Sequence, residues 1–555
     1  MWDLRQIPLP LATLASATSL TGWALLLLAT AWSLRNDQPP GKTGGRWGWW
    51  LLLAGVLVAF RWPLIALPHE LYADETELLA GALTLRHDPV FWRSVDGGTA
   101  GPLDFYALIP AALFPGTAGY AVTRLTAVLM VWGLLVAAGE TLALVAGQRV
   151  ARVAVLPALA FEALTTSPEL VHFSTELVAS LLLALAVFMI ARQTLRSARG
   201  NLWAAALCLG SVPFAKLQGA PIAAALGLGL VWFETSAGRP RQAARLVGVA
   251  LLPTLLVAAV VTATGQAEHM LIPYFLQNTH YTQIGRLPPG EVIGQLWAQS
   301  VTNGYHALWL AGNAVFCAGT ILLARPWPGR LRRQALAATG LLAVSLGCVL
   351  APGRPYHHYL NLLTFPVTLL TGLVLHHLVE SRTSGKGPAT TLILGGFLLC
   401  GQFPQLGLRA TPRPDPYEYY NTTLSARGPE HQRLIATLQG LASPGETLGL
   451  WGWRSTLFVE AGLTQATREP TTLFQWLTGP WQNYYLRRYY ESLVAAPPPV
   501  FVDTAGPGNF WFNNRTMGHE VYPRLRDWVD TQYRLVGEWD GVRVYARRDR
   551  RPGTP

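Results

Sequence analysis

Charged residues are scarce in this sequence: they make up 13% of the 555 residues, whereas 51% are hydrophobic. A soluble chain of this size needs roughly 25% charged residues to cover its surface. The deficit excludes a wholly soluble protein and requires an apolar solvent, which is lipid. Apolar runs of membrane-span length recur from the N-terminus to about Pro404, so we predict a polytopic α-helical membrane protein.

Cysteine and lysine are also rare. The four cysteines all lie in apolar segments, so no disulfide framework is visible and small buried residues are expected. The chain has three lysines, Lys42, Lys216 and Lys386. Arginine is therefore the usual cation, and Lys216, placed between two apolar runs, is a functional candidate.

The basic excess is modest, with 42 Lys and Arg against 31 Asp and Glu. Such an excess can indicate a nucleic-acid partner. Much of it lies instead in short loops between apolar segments, a pattern that sets membrane orientation. We therefore expect membrane lipids as partners and no nucleic acid.

About 11–13 transmembrane helices are predicted from the apolar runs. Their approximate ranges are 9–34, 47–67, 119–146, 151–166, 174–191, 201–214, 217–233, 246–264, 303–324, 334–351, 359–378 and 389–405. Arginine- and lysine-rich loops alternate with loops that carry few such residues, and the latter are expected on the external, periplasmic side of a bacterial inner membrane. The external segments are 68–118, 167–173, the turn near 213–218, 265–302, 352–358 and everything after 405.

The composition changes after the last apolar run. We predict a membrane domain at 1–405, a proline-rich connector at 406–428 and an extracytoplasmic α/β domain at 429–555. Helices are expected at Glu430–Leu441 and Val521–Tyr533, strands at Glu446–Trp451 and Pro499–Asp503, and a hairpin around Asp540-Gly541.

The first large external loop carries the motif A-D-E-T-E, with Asp74, Glu75 and Glu77 directly after an apolar segment. Carboxylates beside a bilayer are costly and indicate function. Asp74 is the candidate general base, which would take a proton from an attacking hydroxyl. Glu75 is a second catalytic candidate, and Glu75 or Glu77 would hold a divalent metal (Mg, Mn or Zn) or position the acceptor. The alternative is a capped amphipathic helix, with Asp74 as the cap and Glu77 as its partner.

A departing phosphate needs cations, and the sequence offers two groups of them. Lys216 lies in V-P-F-A-K-L-Q-G, where prolines favour a broken helix; snorkelling to the interface is the alternative. Arg354, His358 and Tyr359 in G-R-P-Y-H-H-Y are further candidates for phosphate binding, and their neighbour His357 is a candidate for the cavity. An interfacial aromatic belt also explains this second motif.

Two other external segments offer candidates for the acceptor site or cavity. T-H-Y-T-Q-I-G-R contains His280, Tyr281 and Arg286, and His280 is also a candidate metal ligand. Glu176 in S-T-E-L-V-A-S begins an apolar run, where an unpaired carboxylate is expensive. It either caps a helix or lies in the cavity.

In this order, the motifs resemble those of the GT-C membrane glycosyltransferases, especially bacterial relatives of the protein O-mannosyltransferases and the lipid A aminoarabinose transferase. The segments that carry the resemblance are A-D-E-T-E, G-P-L-D-F-Y-A-L-I-P, S-T-E-L-V-A-S, P-F-A-K-L-Q-G, T-H-Y-T-Q-I-G-R and P-Y-H-H-Y-L-N-L-L-T-F-P, within residues 70–405. The resemblance implies a polyprenyl-phosphate sugar donor, transfer with inversion outside the cytoplasm, Asp74 as base, Lys216 at the lipid phosphate and His280 as the loop histidine.

The chain departs from this family in two places. An additional apolar run, 9–34, precedes the one that normally comes before the acidic loop, and Thr-Ala-Gly-Pro at 99–102 replaces the Glu-Lys-Pro of the aminoarabinose enzyme. Metal ligation by that glutamate is therefore not carried over. The C-terminal segment resembles extensions of other bacterial members, in which Trp451, Trp453 and Arg454 would stack on sugars or simply form a core.

The sequence thus favours an enzyme that moves a sugar from a polyprenyl (undecaprenyl) monophosphate to a hydroxyl of a lipid, glycan or protein. A translocase for polyprenyl-linked glycans would use the same basic pocket without a base. A sensor whose external domain binds a ligand is a third reading, and it needs no carboxylate cluster.

Overall fold

A computed structural model describes residues 11–34, 44–114, 116–165, 167–196, 200–303, 313, 317, 327–382 and 428–550. The chain forms two compact units. The first contains Met1–Leu67, Ala127–Leu255 and Gly285–Pro412, and the second contains Pro68–Thr126, Leu256–Ile284 and Arg413–Pro555. The domain boundaries expected at 405 and 429 remain predictions, and the connector up to residue 427 lies outside the described residues.

Seven helices in the described residues are long and apolar enough to cross a membrane, and each overlaps a predicted span. They are Trp47–Ile65, Ala118–Ala146, Glu176–Arg196, Leu217–Ser236, Pro240–Ala263, Gly329–Leu350 and His357–Glu380. Asn201–Phe214 is a shorter apolar helix. The predicted spans 303–324 and 389–405 lie almost entirely outside the described residues. The protein is a multi-pass membrane protein.

The described part of the first unit contains helices joined by loops and has no strand. Its helices, two of which continue into the second unit, are Leu11–Ser33, Gly44–Ile65, Ala118–Ala146, Gln148–Leu164, Pro168–Val171, Glu176–Arg196, Asn201–Ser211, Ala220–Ser236, Pro240–Ala263, Pro289–Asn303, Gly329–Leu350 and Asn361–Arg382. Short 3₁₀ turns at Val212–Phe214 and Leu217–Gly219 interrupt the chain at the predicted break on either side of Lys216.

The second unit combines helices with one small sheet. Its helices are Ala73–Leu85, Pro102–Ala107, Ile109–Ala112, Ala267–Met270, the π-helix Leu271–Gln277, Asn278–Tyr281, Pro429–Leu441, Thr456–Ala461, Leu473–Trp476, Gln482–Ala495 and Pro523–Gln532. The strands are β1 (Thr447–Trp451), β2 (Thr464–Gln465), β3 (Val500–Asp503), β4 (Tyr533–Trp539) and β5 (Val542–Arg547).

The sheet has the order β2-β1-β3-β5-β4. Strand β1 is parallel to β2 and β3, whereas β5 is antiparallel to both β3 and β4. Asp540 and Gly541 join β4 to β5 with φ angles of 52° and 73°. Two successive positive φ angles match the tight hairpin turn that Asp-Gly favours. The predicted helices, strands and hairpin of this domain are confirmed.

Alternating side chains of the sheet form two cores, because successive residues of a strand point to opposite faces. Leu448 and Val500 face a core that includes Leu79 of helix Ala73–Leu85 and Leu434 of helix Pro429–Leu441. Trp451 and its neighbours face the other core, which contains Phe501, Tyr489, Leu493, Leu525 and Val529. The acidic motif is thus carried by a helix that packs on the sheet of its own unit.

Helix Ala73–Leu85 has Tyr72 as its N-cap, without a capping side-chain hydrogen bond. Asp74 is already inside the first turn, where a carboxylate is favourable because it lies near the positive end of the helix dipole. The alternative in which Asp74 caps the helix is therefore wrong by two residues. The motif forms the first turn of a helix, and capping does not explain its acidity.

Candidate functional site

Glu75 is anchored by a buried arginine. Its carboxylate accepts hydrogen bonds from Nε and Nη2 of Arg124 at 2.7 and 2.8 Å, and both side chains are fully buried. Glu75 also accepts a bond from the backbone N–H of Leu71 at 2.9 Å, while Arg124 donates to the backbone oxygen of His69. These three bonds occupy most of the roughly four lone-pair sites of a carboxylate, so Glu75 fits a positioning role better than the predicted catalytic or metal-binding role.

Asp74 lies one residue before this anchor and is bonded differently. Its side chain is half-buried, and it makes no hydrogen bond or ion pair with any residue that the structure describes. The Glu75–Arg124 pair fixes the start of the helix and thereby the direction of Asp74. Asp74 therefore presents a carboxylate that is held in place yet free to accept a proton.

Glu77 occupies a third environment. Burial, the charge of Asp74 and that of Glu70 raise its pKa well above the usual value, against an opposing contact with Trp453. The Glu77 Oε1 and the Trp453 indole N–H are both buried and complete no hydrogen bond with the described residues. One short helix thus carries three carboxylates in three states: Asp74 unpaired, Glu75 paired with a cation, and Glu77 biased toward its neutral form.

In the first unit, Lys216 meets Glu176 and Thr175. The Lys216 Nζ is 3.2 Å from the Glu176 Oε1 and donates to the Thr175 hydroxyl at 2.6 Å. All three side chains are buried, with Lys216 7% exposed. An ammonium group has three donors, so one remains after these two contacts. Glu176 was predicted as a cap or cavity residue. It is the partner whose charge offsets the cost of burying Lys216.

The predicted histidine pair is held by a carboxylate that sequence reasoning missed. His358 Nδ1 is 3.0 Å from the Glu169 Oε2, and the backbone N–H of His357 donates to the same oxygen at 2.7 Å. The His357 ring contacts the hydroxyl of Ser167 at 3.3 Å. Burial raises the pKa of Glu169, but the bond and charge of His358 outweigh it and lower the pKa to about 2.

Tyr359 and Arg354 flank this histidine pair along the chain. Tyr359 packs edge-on against His358, with ring centroids 4.9 Å apart, and is buried. Arg354 lies beside Gly285, and Arg286 packs against Gly353, so the two predicted arginines come from adjoining loops of the first unit.

His280 and Tyr281 belong to the second unit and pack against its C-terminal part. The His280 ring lies against Gly479, where an added Cβ would come within 2.7 Å of Nε2, and Tyr281 meets Phe474 edge-on at 6.0 Å. Neither contact offers a ligand set for a metal. Their predicted acceptor role remains a prediction.

A possible acidic metal site is present elsewhere in the described residues. Asp503, His519 and Glu520 place ligand atoms within 4.8 Å of one another, and neither Glu75 nor His280 joins such a group there. Arg543 lies 2.7 Å from Asp503 and also pairs with Glu520. A guanidinium already supplies the positive charge, so this cluster does not fit a resident divalent cation.

The candidate tryptophans of the C-terminal domain have separate roles. Trp451 is fully buried, and its indole N–H donates to the backbone oxygen of Met517 at 2.9 Å, so it is a core residue. Trp453 and Arg454 instead line a cavity of about 210 Å³. Arg454 pairs there with Asp540.

Several buried pairs were not predicted because their partners lie far apart in sequence. Arg61 pairs with Glu162 at 2.9 Å in the first unit, and Arg488 pairs with Asp96 in the second. The available signal was a single charge inside an apolar run, as at Arg124 in Y-A-V-T-R-L-T-A-V. A lone charge of this kind indicates that the residue has an oppositely charged or polar partner, but it does not indicate which residue that partner is.

No family model matches this chain, and no curated protein matches it. A crystal structure of ArnT from Cupriavidus metallidurans bound to undecaprenyl phosphate is similar, with a TM-score of 0.53 and 13% identity over 92% of this chain and 99% of that one. The apo structure of the same protein has a TM-score of 0.42 and 13% identity over 91% of this chain and 98% of that one. The chain therefore has an ArnT-like GT-C fold, and the predicted fold class is confirmed.

Proposed function

We propose that the protein is a membrane glycosyltransferase that moves a sugar from a polyprenyl monophosphate to a hydroxyl of a lipid, glycan or protein acceptor. The observation that carries this proposal is Asp74, a half-buried carboxylate in the first turn of its helix that has no hydrogen-bond or ion-pair partner among the described residues. A general base needs this combination, because it must be ionised and must reach the acceptor hydroxyl. The fold adds support, since the similar ArnT structure is bound to undecaprenyl phosphate.

In the proposed reaction, Asp74 accepts the proton of the acceptor hydroxyl as its oxygen attacks the anomeric carbon of the donor sugar. The bond between that carbon and the phosphate oxygen breaks, and the electron pair leaves with polyprenyl phosphate. Attack opposite the leaving group inverts the anomeric centre. Glu75 does not exchange protons in this scheme, and its bond to Arg124 keeps the helix turn, and with it Asp74, in place.

Lys216 is the proposed contact for the donor phosphate. Its third donor would bind a phosphate oxygen, and the developing charge on the leaving group would strengthen that bond. His358, Tyr359 and Arg354 are further candidates in the same unit. We place the reaction on the periplasmic side of a bacterial inner membrane, as the arginine pattern of the loops predicts. No step requires a metal.

The test is transfer by the purified protein in lipid, with a panel of synthetic polyprenyl-phosphate sugars and an extract of bacterial envelope lipids and glycans as the acceptor source. Release of polyprenyl phosphate is measured for the wild type, Asp74→Asn and the matched control Asp530→Asn, which changes an exposed carboxylate of the same unit. We expect Asp74→Asn to bind donor but lose about 10²- to 10⁴-fold in rate. The control should match the wild type.

Two results would contradict the proposal. Equal transfer rates for the wild type and Asp74→Asn would show that Asp74 is not the general base. Donor binding without release of polyprenyl phosphate by the wild type, joined to movement of the lipid-linked sugar across the bilayer, would favour a translocase instead.

A further inference from the structure

The second unit contains a cavity of about 210 Å³ beside the acidic helix. One side is formed by residues 69–73 and Thr76, and the other by Trp453, Arg454 and Phe510 of the C-terminal domain. The volume is below the roughly 300 Å³ at which pockets for drug-sized ligands begin. A single small ring fits this size better than a whole glycan or a lipid chain does.

Two aromatic rings give the cavity an apolar wall. Trp453 and Phe510 meet edge-to-face, with centroids 5.0 Å apart and an interplanar angle of 82°. Phe510 is 54% exposed although it is a large apolar side chain. The next residue, Trp511, is 51% exposed and has a φ of 59°, which is unusual for an aromatic residue. This strained backbone directly follows Phe510, the aromatic residue at the cavity, and strain of this kind is concentrated at binding sites.

The polar side of the cavity has unmet hydrogen-bonding capacity. Trp453 lines the cavity, and its indole N–H is buried without a hydrogen bond among the described residues by geometry. Glu77 contacts Trp453 but does not itself line the cavity. Buried polar atoms without partners cost free energy, which a ligand hydroxyl that reaches them can recover. A ligand hydroxyl can accept from the indole N–H and donate to the carboxylate of Glu70, which lines the cavity.

The charges around the cavity exclude a phosphate more readily than they exclude a neutral ring. Three basic side chains line the cavity, and each already has a partner. Arg454 pairs with Asp540, His431 lies 2.8 Å from Glu460, and His69 Nδ1 lies 3.2 Å from the backbone oxygen of Glu70. Glu70 lines the cavity, and its hydrogen bond with Thr76 at 2.7 Å places its carboxylate at the wall. A phosphate would meet this carboxylate without a free cation from these residues to balance it.

An apolar ring wall combined with hydroxyl-matching polar atoms is the chemistry of a pyranose ring, which has C–H faces and a hydroxyl rim. Ala73 and Thr76 line the cavity, and Asp74 belongs to the same helical turn without itself lining it. We propose that this cavity binds a neutral pyranose ring of the glycosyl acceptor. The assignment to the acceptor rests on the proposed function, because it takes Asp74 as the base that the acceptor hydroxyl must reach.

The test measures binding of simple probes to the full-length protein in lipid nanodiscs by saturation-transfer NMR. The probes are methyl mannopyranoside, methyl glucopyranoside and methyl galactopyranoside, with mannitol as an open-chain control. We expect at least one pyranoside to bind through its ring C–H protons and mannitol to bind more weakly. Phe510→Ala should weaken binding about tenfold, since it removes one face of the stacking wall.

Trp511→Ala is the matched control, because it removes an equally exposed aromatic side chain from the adjacent position, which does not line the cavity. It should bind the probes as the wild type does. Glu77→Gln should also retain binding, because the amide keeps a neutral side chain of the same shape. The proposal is overturned if no pyranoside binds the wild type, if mannitol binds equally well, or if Phe510→Ala and Trp511→Ala have the same effect.

A second arm separates acceptor from donor, using whichever panel donor turns over and water as the only acceptor. Phe510→Ala should hydrolyse the donor at the wild-type rate, whereas a tenfold loss would assign the ring site to the donor and overturn the acceptor assignment. The binding experiment needs no donor. If the pyranosides bind but no transfer occurs, the proposed function fails and the sugar-binding cavity survives. If Phe510→Ala transfers to a pyranose acceptor at the wild-type rate, the proposed function survives and the cavity assignment fails.

Discussion

The carboxylates of the membrane unit and those of helix Ala73–Leu85 are stabilised in different ways. In the first unit, Glu162 pairs with Arg61, Glu176 with Lys216, and Glu140 accepts a bond of 2.7 Å from the indole of Trp50. In the acidic helix, Glu75 alone has a cation among the described residues.

This difference distinguishes carboxylates that stabilise the fold from carboxylates that are available for the reaction. A carboxylate inside an apolar unit is tolerated only with a partner, because an uncompensated buried charge is costly. Asp74 and Glu77 form no ion pair among the described residues. The comparison predicts which substitutions act on stability and which act on chemistry.

The largest effect on stability is expected from Arg124→Ala. It leaves Glu75 buried without its cation, and the loss of a partner from a buried pair costs about 3–5 kcal/mol. Thermal unfolding in nanodiscs should show a clear fall in Tm. The double variant Glu75→Leu/Arg124→Met should recover most of the loss, because it removes both charges. A single variant as stable as the wild type would show that the pair does not anchor the helix.

Lys216→Met should weaken binding of undecaprenyl phosphate by about tenfold to one hundredfold, since a hydrogen bond to a charged group contributes roughly 1.5–3 kcal/mol. Glu176→Gln should strengthen it, because it removes the carboxylate that competes for the ammonium. Equilibrium binding of the lipid to both variants checks the prediction. Weaker binding by both variants would instead indicate that the lysine–glutamate pair only stabilises the fold.

Acid should weaken the Glu169–His358 contact. The folded pKa of Glu169 is lowered to about 2 from a usual value of 4.5. A lowered carboxylate pKa stabilises the fold above the unfolded value, and this contribution of about 3 kcal/mol is lost as the pH falls from about 5 to about 2. Tm measured across this window should fall more steeply for the wild type than for Glu169→Gln. Parallel curves would contradict the assignment.

The smallest effect is expected from Glu77→Gln. The folded pKa of Glu77 is raised, so the folded state holds the proton more tightly and wild-type stability falls as the pH rises from about 4.5 toward that raised pKa. The amide does not titrate, so the variant should become the more stable protein as the pH increases through this range. A Tm difference that does not change with pH would contradict the raised pKa.

Local patterns were readable from the sequence. The Asp540-Gly541 turn, the strand Val500–Asp503 and the break around Lys216 follow from turn chemistry and from apolar periodicity over a few residues. The long apolar helices were equally readable, because lipid demands continuous hydrophobic segments.

The pairings were not readable, because they join distant parts of the chain. Glu75 and Arg124 are 49 residues apart, and the Tyr120 hydroxyl reaches Glu460 across 340 residues. Sequence order ranks Asp74, Glu75 and Glu77 together as one acidic motif. Only the packing of helix Ala73–Leu85 shows that Asp74 is unpaired, that Glu75 is anchored by Arg124 and that Glu77 has a raised pKa.

The most direct test of this separation is single-turnover transfer from a polyprenyl-phosphate sugar, measured at saturating donor for the wild type, Asp74→Asn and Glu77→Gln in the same liposomes. We predict that Asp74→Asn slows transfer by about 10²- to 10⁴-fold, while Glu77→Gln transfers at close to the wild-type rate. Retained transfer by Asp74→Asn, or equal losses in the two variants, would contradict the claim that the unpaired carboxylate of this helix is the base.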